Sequence, residues 1–170
     1  MLSPFFINDK QLTLDRFPLA QVNRSLQAWD SSDEYLLNHI KDQQLISANA
    51  RVAIFNDAFG ALTTHFCSNE SVQNNINVYC INDSYISNQG ITYNIEQNQL
   101  TNKNITQLTC LDPLPDNIDV ILFKIPKNKS LLIEQLIQIK KTVGQNTVFI
   151  AADRAKEIHS STLKLFEKYL

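Results

Sequence analysis

Residues 52–62, VAIFNDAFGAL, place an apolar strand directly before a helix and decide the fold class of this chain. The opening run is rich in β-branched and aromatic residues, which is typical of a strand buried in a parallel sheet. Cofactor-binding domains carry a glycine-rich turn at this junction, because backbone N–H groups must approach the ligand there. Here the junction holds an acid, Asp57, a bulky Phe59 and a single glycine, Gly60.

Short apolar strands alternate with helices along the rest of the sequence. Strands are predicted over residues 50–56, 76–82, 104–111, 118–125 and 146–152, and helices over residues 59–69, 84–99, 128–143 and 154–170. A further helix is predicted towards the end of residues 17–40, where Ser31 and Glu34 have the spacing of a capping box. This alternation predicts an α/β fold with right-handed crossovers and a doubly wound, mostly parallel sheet. We divide the chain into an N-terminal extension, residues 1–45, which packs on an α/β domain, residues 46–170.

Length and composition restrict the class of protein. The chain has 170 residues, of which 44% are hydrophobic, enough for one domain with a complete core. No run approaches the roughly 18 apolar residues of a membrane span. The N-terminus also lacks the basic and apolar regions of a secretory signal, so a cytoplasmic protein without a membrane partner is predicted.

The three cysteines, Cys67, Cys80 and Cys110, form no CxxC pair. No histidine has ligand spacing to any of them, so no metal site is predicted. Cys80 and Cys110 fall in predicted strands, which favours buried, reduced thiols.

Acidic residues follow three successive strands of the predicted sheet. Ligands of such sheets bind beyond the carboxyl ends of the strands, at the switch point of the strand order. Asp57 and Gly60 follow the first strand, Asp83 follows the second, and Asp112 follows the third. An acid after the second strand can accept hydrogen bonds from ribose hydroxyls. Helix capping explains Asp57 and Asp83 equally well, and a turn before Pro113 explains Asp112.

Charge is unevenly distributed along the chain, although the net charge is only −2. Residues 1–120 contain 6 Lys and Arg against 13 Asp and Glu, whereas residues 121–170 contain 9 against 4. The basic C-terminal third can contact a polyanion such as RNA. Solvated helix faces and helix C-termini, which favour lysine, explain the same residues without any partner.

The residues at the end of the fourth strand, FKIPKNK at 123–129, argue against methylation of an amine at this position. From here the chain resembles an S-adenosylmethionine-dependent methyltransferase, and amine-methylating members carry an Asn-Pro-Pro-aromatic motif at this position. In that motif the asparagine oxygen and a backbone carbonyl accept hydrogen bonds from the amine, and the aromatic ring stacks on the base. This chain has Lys124 and Lys127 in place of the asparagine and the aromatic residue. A charged lysine only donates hydrogen bonds, so no catalytic residue is predicted here.

Six stretches, in order along the chain, carry a narrower resemblance: LTLDRFPL, LQAWDSSDEYLL, NDAFGAL, NDSYIS, KIPK and IHSSTLKLFEK. They resemble the N-terminal half of the two-domain ribosomal RNA guanine-N2 methyltransferases, and the large-subunit (23S) type fits better than the small-subunit (16S) type. The resemblance implies a degenerate copy of the Rossmann-like methyltransferase fold. A C-terminal copy, absent from this chain, is then expected to carry the Asn-Pro-Pro motif and S-adenosylmethionine.

The same resemblance implies a function for the chain and indicates whether its acidic residues bind a cofactor. Asp57, Gly60, Asp83 and Asp112 occupy degenerate cofactor positions, and no cofactor is expected to bind there. The chain is expected to be noncatalytic and to help bind and present naked 23S rRNA beside its own C-terminal domain. Two alternatives stay open. One is a self-contained methyltransferase that binds S-adenosylmethionine through the three acids, and the other is a module that only docks its own C-terminal domain, through the acidic N-terminal half of this chain.

Four basic residues at the strand ends are candidates for RNA contact. Lys124 and Lys127 follow the fourth strand, and Arg154 and Lys156 follow the fifth. Contacts from these residues to phosphates are expected to be independent of sequence and sensitive to salt.

Four further residues are expected to have structural roles or to lie at the surface, without a part in catalysis. His65 and His159 fall in helices without a nucleophile nearby, so each is expected to be packed or solvated rather than catalytic. Trp29 and Phe17 are expected to anchor the core or a domain interface.

Overall fold

Seven strands lie in the part of the chain that the computed structural model describes, which is residues 5–7, 10–19, 26–68, 74–101 and 103–170. In chain order they are β1 Phe5–Ile7, β2 Lys10–Leu12, β3 Arg51–Phe55, β4 Asn77–Ile81, β5 Ile105–Leu108, β6 Val120–Lys124 and β7 Val148–Ala152. β1 and β2 form an antiparallel pair, and the other five strands form one parallel sheet in the order β5-β4-β3-β6-β7. The predicted α/β fold with a doubly wound sheet is confirmed.

The strand order places the switch point between β3 and β6. From β3 the chain adds β4 and then β5 on one side, and afterwards crosses the sheet to form β6 on the other side of β3. β3 and β6 pair in register from Val52 with Val120 to Phe55 with Phe123, so both strands end at the same level. The residues that follow these two strands therefore meet where doubly wound proteins bind ligands.

Five α-helices of the described residues join or flank the strands: α1 Ser31–Asp42, α2 Ala61–Phe66, α3 Tyr85–Gln97, α4 Lys129–Thr142 and α5 Ser160–Tyr169. The single helix predicted over residues 154–170 is wrong in its first part. The chain forms a short 3-10 turn at Ala155–Glu157, and His159 is extended (φ −105°, ψ 156°) before α5 begins. Among the helices of the described ranges, none combines the length and apolar character needed to span a bilayer.

The two faces of the sheet bury separate hydrophobic cores, because successive strand residues point to opposite sides. On one face, Val52 and Ile54 of β3 pack with apolar side chains of α1 and α2, namely Leu36, Leu37, Ile40, Leu62 and Phe66. On the other face, Ala53 and Phe55 pack with side chains of α4 and α5, namely Leu132, Leu136, Ile139 and Phe166. Each face of the sheet is thus covered by helices.

Residues before the sheet complete the first of these cores. Phe5, Leu12, Leu14 and Trp29 are buried together with α1 and β3. The Trp29 ring lies 5.2 Å from the Phe5 ring, and α1 also contacts β7. The described residues before β3 are therefore part of the packed fold.

The capping box predicted for α1 is displaced by one residue. Asp30, not Ser31, is the N-cap, and its carboxylate accepts a hydrogen bond from the Ser32 backbone N–H (2.9 Å). The Asp33 carboxylate in turn accepts from the Asp30 N–H (3.0 Å), which Glu34 was expected to do for Ser31. Asp30 has the extended backbone of a cap (φ −133°), so the helix begins at Ser31.

The connection from β5 to β6, residues 109–119, contains no helix. β5 ends at Leu108, earlier than predicted, so Cys110 is half-buried in the following turn and the prediction of a buried thiol is wrong there. Cys80 is buried, as predicted. Leu114 of the connection packs against the core on the α4 side of the sheet.

Candidate functional site

The loop after β3 turns its acid into the protein. The buried Asp57 carboxylate accepts hydrogen bonds from the Thr63 backbone N–H (2.9 Å) and the Thr63 hydroxyl (2.7 Å), which satisfies the first turn of α2. The Asp57 carbonyl oxygen accepts from the Asn82 side-chain amide (2.6 Å), which ties this loop to the end of β4. The carboxylate proposed for a cofactor therefore stabilises a helix start.

Gly60 is required by the backbone of the same loop. It is the N-cap of α2 with φ of +96°, a conformation that side-chain-bearing residues rarely adopt. A Cβ atom at this position would lie 3.1 Å from the Thr64 hydroxyl and 3.2 Å from the Ile91 Cα. The glycine thus allows α2 and α3 to approach each other closely.

Phe59, the bulky residue of the junction, packs onto α3. The Arg16 guanidinium lies 5.2 Å from the centre of its ring, and a Cβ on Gly90 would lie 3.3 Å from the ring edge. The Phe59 carbonyl accepts from the Asn94 side chain (2.7 Å). The phenyl ring and the carbonyl of this residue are both engaged by the protein.

The acids after β4 and β5 make different contacts. The Asp83 carboxylate accepts from the Cys110 backbone N–H (2.7 Å), which joins the loops that follow β4 and β5. The Asp112 carboxylate accepts from the Thr109 N–H (2.8 Å) and hydroxyl (3.2 Å), which closes a local turn, as the turn interpretation proposed. Asp83 does not cap α3.

The cap of α3 is instead Ser84, whose hydroxyl accepts from the Ser87 N–H (3.1 Å). The Asn82 side chain accepts from the Ser84 N–H (3.0 Å) and so fixes the entry to the helix. The prediction of a cap at this point was therefore right in type and wrong by one residue.

Lys124, at the end of β6, points into a cluster of carboxylates. Its ammonium nitrogen lies 2.7 Å from Asp33 and 3.6 Å from Asp30, both at the start of α1. The Lys124 side chain is 12% exposed and that of Asp33 only 2%. The structure therefore separates Lys124 from the other basic residues predicted to contact RNA, because its charge is already paired inside the protein.

Burial and pairing oppose each other in this cluster. Burial raises the pKa of Asp33 to about 6, even though the neighbouring Lys124 ammonium acts to lower it. Burial is the largest single influence on Lys124 and acts against its charged form, but the combined effect of Asp33, Asp57 and Asp30 raises the pKa of Lys124 above its ordinary value. Asp57 adds to the negative charge that acts on both groups. Lys124 is therefore held as a cation by buried carboxylates.

A pair of side-chain amides bridges the switch point beside this cluster. Asn56 and Gln135 exchange two hydrogen bonds of 2.9 Å, and the Asn56 amide also donates to the Lys124 carbonyl (2.9 Å). Asn56 adopts a left-handed backbone conformation (φ 63°), and Gln135 is buried on α4. Sequence reasoning missed this pair, although an Asn at a strand end and a Gln on an apolar helix face are signals of a buried polar contact.

A cavity lies near the same edge on the α4 side of the sheet. Phe55, Ile81, Cys110, Leu114 and Gln138 are among its lining residues, and its volume of about 10 Å³ suffices for about one water molecule.

The remaining basic candidates lie at the ends of β6 and β7, which are neighbouring strands. Lys127 and Lys156 are exposed. Arg154 is partly exposed and pairs with Glu157 at 3.2 Å. These three residues form a cationic end of the sheet edge, whereas Asp83 lies at its other end.

The structure places the remaining predicted residues in packing positions or at the surface. The His65 ring is buried and packs edge-on against Phe66, with 5.4 Å between ring centres. His159 is exposed at the start of α5. Phe17 lies 6.1 Å from the Tyr93 ring on α3.

The fold is that of the Rossmann-like, S-adenosylmethionine-dependent methyltransferases. A methyltransferase of this kind from Aquifex aeolicus superposes with a TM-score of 0.60 at 16% identity, over 78% of this chain and 77% of that chain. A TehB-like methyltransferase from Corynebacterium glutamicum gives a TM-score of 0.56 at 11% identity, over 82% and 73% of the two chains. The predicted fold family is confirmed.

Sequence comparison places the chain more narrowly. The sequence model of the RLMG N-terminal domain matches residues 3–170, and the chain belongs to this family. It is 69% identical over 170 residues to the ribosomal RNA large subunit methyltransferase G of Colwellia psychrerythraea. The matched region is 100% of this chain and 43% of that protein. The corresponding protein of Pseudoalteromonas translucida is 39% identical over 164 residues, 41% of its length. The chain thus spans less than half the length of these curated relatives, and the predicted resemblance is confirmed.

Proposed function

We propose that this chain is the noncatalytic N-terminal domain of a 23S rRNA guanine-N2 methyltransferase that helps to bind and present the RNA. In this proposal a second domain, corresponding to the remainder of the longer relatives, binds S-adenosylmethionine and transfers its methyl group to the exocyclic amine of a guanine. The names and lengths of the relatives support this assignment. The setting is the cytoplasm, where naked rRNA is available.

The observation that carries the noncatalytic role is the closed end of β3 and β6. At the position where a methyltransferase would offer an acceptor to an amine, Lys124 offers only donors, and these are directed at Asp33. The Asn56–Gln135 pair joins the same strand end to α4. Asp83 and Asp112 accept hydrogen bonds from the protein. Asp57 accepts through one carboxylate oxygen, and its other oxygen is buried without a hydrogen-bond partner. The donors of Lys124 and the internal contacts of these residues support the proposal that this chain neither binds S-adenosylmethionine nor supplies a catalytic group.

The RNA-binding role falls to Lys127, Arg154 and Lys156, at the ends of β6 and β7. Cations at neighbouring strand ends suit the phosphates of an RNA backbone, whose binding is driven largely by release of counterions. Lys124 is not included in this surface, because its side chain is only 12% exposed and is paired with the buried Asp33. Arg154 is kept because it is 39% exposed, although it also pairs with Glu157. Residues 1–45 then act as an extension that supplies those carboxylates to the α/β domain of residues 46–170.

Calorimetric titration of the chain with S-adenosylmethionine, beside RNA binding at two salt concentrations, tests the proposal. We expect no heat of cofactor binding, and an affinity for large-subunit rRNA that falls steeply as salt rises. Stoichiometric cofactor binding would instead favour a self-contained methyltransferase. Absence of both cofactor and RNA binding would favour a module that only docks its C-terminal domain.

A further inference from the structure

Three large apolar side chains stand in solvent at the carboxyl ends of β4 and β5. Tyr85 and Ile86, at the start of α3, are 76% and 49% exposed, and Leu111, after β5, is 90% exposed. A side chain that lined a closed pocket would not be this exposed. We call these three residues the apolar patch.

The loops that carry the apolar patch are well fixed by hydrogen bonds. Asp83 accepts from the Cys110 N–H at 2.7 Å, so the loop that leads to Tyr85 is joined to the loop that holds Leu111. The Leu111 N–H itself donates to the Thr109 hydroxyl (3.3 Å). Since the backbone is ordered without help from these side chains, their exposure is not a consequence of a loose loop.

The surroundings of the apolar patch are acidic. Asp83 and Asp112 belong to the same two loops, and Glu134 of α4 lines the adjacent cavity together with Asp112 and Cys110. The cations of the sheet edge, Lys127 and Lys156, belong to the opposite end, beyond β3. An RNA backbone is repelled by such a rim, whereas a protein surface with an apolar centre and a basic border is complementary to it.

We propose that the apolar patch docks the remainder of the methyltransferase, the part of the longer relatives that lies outside residues 1–170. This inference rests on the proposed function. The relatives leave more than half of their length for that part, since the chain covers 43% of one and 41% of another. A domain that acts on a polyanion needs a basic surface, which matches the acidic rim. Covalent connection supplies an effective concentration on the order of millimolar, so a small patch suffices.

Cys110 reports on this contact because it directly precedes Leu111. Cys110 is half-buried, while Cys67 and Cys80 are fully buried and serve as internal references. The rate of Cys110 alkylation by iodoacetamide, read by peptide mass spectrometry, is compared between the 170-residue chain and the intact methyltransferase that contains it. A common, alkaline pH is used, since the hydrogen bond between its thiol and Asp83 raises the pKa of Cys110 to about 11.

We expect Cys110 to react at least about tenfold more slowly in the intact protein, as a buried interface excludes the reagent. Leu111→Asp is expected to bring the ratio of the two rates close to one, and Tyr85→Asp is expected to act in the same direction. Leu163→Asp, at an exposed leucine of α5, is the matched control and is expected to leave the protection intact.

Two results would overturn the docking proposal. One is an equal alkylation rate in the unaltered 170-residue chain and intact protein. The other is protection of Cys110 in the 170-residue chain by large-subunit rRNA alone, which would make RNA the occupant. Failure of the proposed function appears differently, as loss of salt-dependent RNA binding while the ratio of alkylation rates keeps its value.

Discussion

Lys124 shows how one residue at the end of β6 replaces a hydrogen-bond acceptor for an amine with an internal ion pair. Its position is the one where amine-methylating relatives of this fold present an acceptor, and the sequence alone indicates that a lysine cannot do so. The ion-pair partner of Lys124, Asp33 at the start of α1, could not be predicted from the sequence. The two residues are far apart in sequence, and an acid in a first helical turn is normally explained by the helix dipole.

Replacing Lys124 with methionine tests whether the ion pair stabilises the fold. Lys124→Met leaves the buried Asp33 carboxylate without its cation, and we expect the free energy of unfolding to fall by about 3 kcal/mol. The double variant Lys124→Met/Asp33→Asn removes both charges and is expected to recover much of this loss. Urea denaturation measures both, and equal stability of Lys124→Met and the unaltered chain would contradict the assigned role.

The raised pKa of Asp33 predicts an unusual dependence of stability on pH. The pKa is about 6 in the folded chain and 3.8 in the unfolded one, so the folded state binds the proton first as the pH falls. This carboxyl therefore adds stability as the pH drops from 7 towards 4, and the contribution is lost as the pH rises through 6. Thermal unfolding of the unaltered chain and of Asp33→Asn checks this. Their stability difference should shift in favour of the unaltered chain at lower pH, and a constant difference would exclude it.

At the scale of elements, period and composition predict the five parallel strands and the order of helices between them. They do not predict the exact ends and caps of the helices, because the backbone conformation of a single residue determines where a helix begins. The α1 cap falls on Asp30 because that residue takes an extended backbone, and the last helix splits because His159 is extended. The antiparallel pair β1–β2 was not predicted, since strands of three residues carry too short a pattern.

Replacing Gly60 tests whether the start of α2, the helix that follows β3, requires a glycine. Gly60→Ala places a side chain at φ of +96° and within 3.2 Å of the α3 backbone, so we expect a loss of at least about 1–2 kcal/mol. Gly144→Ala is the control, because nothing lies within 4 Å of an added Cβ there. Urea denaturation should show a clear loss for the first and little change for the second. Similar effects of both variants would mean that the junction tolerates a side chain.

At the scale of the whole molecule, the carboxyl edge of the sheet is divided into an acidic, apolar end at β4 and β5 and a cationic end at β6 and β7. The charge counts of the sequence predict this division roughly, because the basic residues concentrate in the C-terminal third. They do not predict which lysine is free. That depends on tertiary contacts, which separate Lys124 from Lys127 and Lys156.

The cationic end predicts the salt dependence of RNA binding. Lys127→Ala/Lys156→Ala is expected to weaken binding to large-subunit rRNA and to reduce the slope of log affinity against log salt by about one to two. Lys41→Ala/Lys103→Ala removes the same charge from the last turn of α1 and from the residues before β5, and is expected to have a smaller effect. Equal losses in the two variants, measured by fluorescence anisotropy, would indicate a general charge effect instead of a surface.

The contact between α1 and β7 also has a consequence for synthesis of the chain. More than a hundred residues separate these elements, and Ala152 at the end of β7 is buried in the same core as Leu36 and Leu37 of α1. At about 5–20 residues per second, α1 leaves the ribosome several seconds before its partner strand is made. During that interval β3 and α2 can already pack on α1, but the part of its apolar face that meets β7 lacks its native cover. A nascent chain that stalls ahead of β7 will therefore be prone to aggregate and dependent on a chaperone.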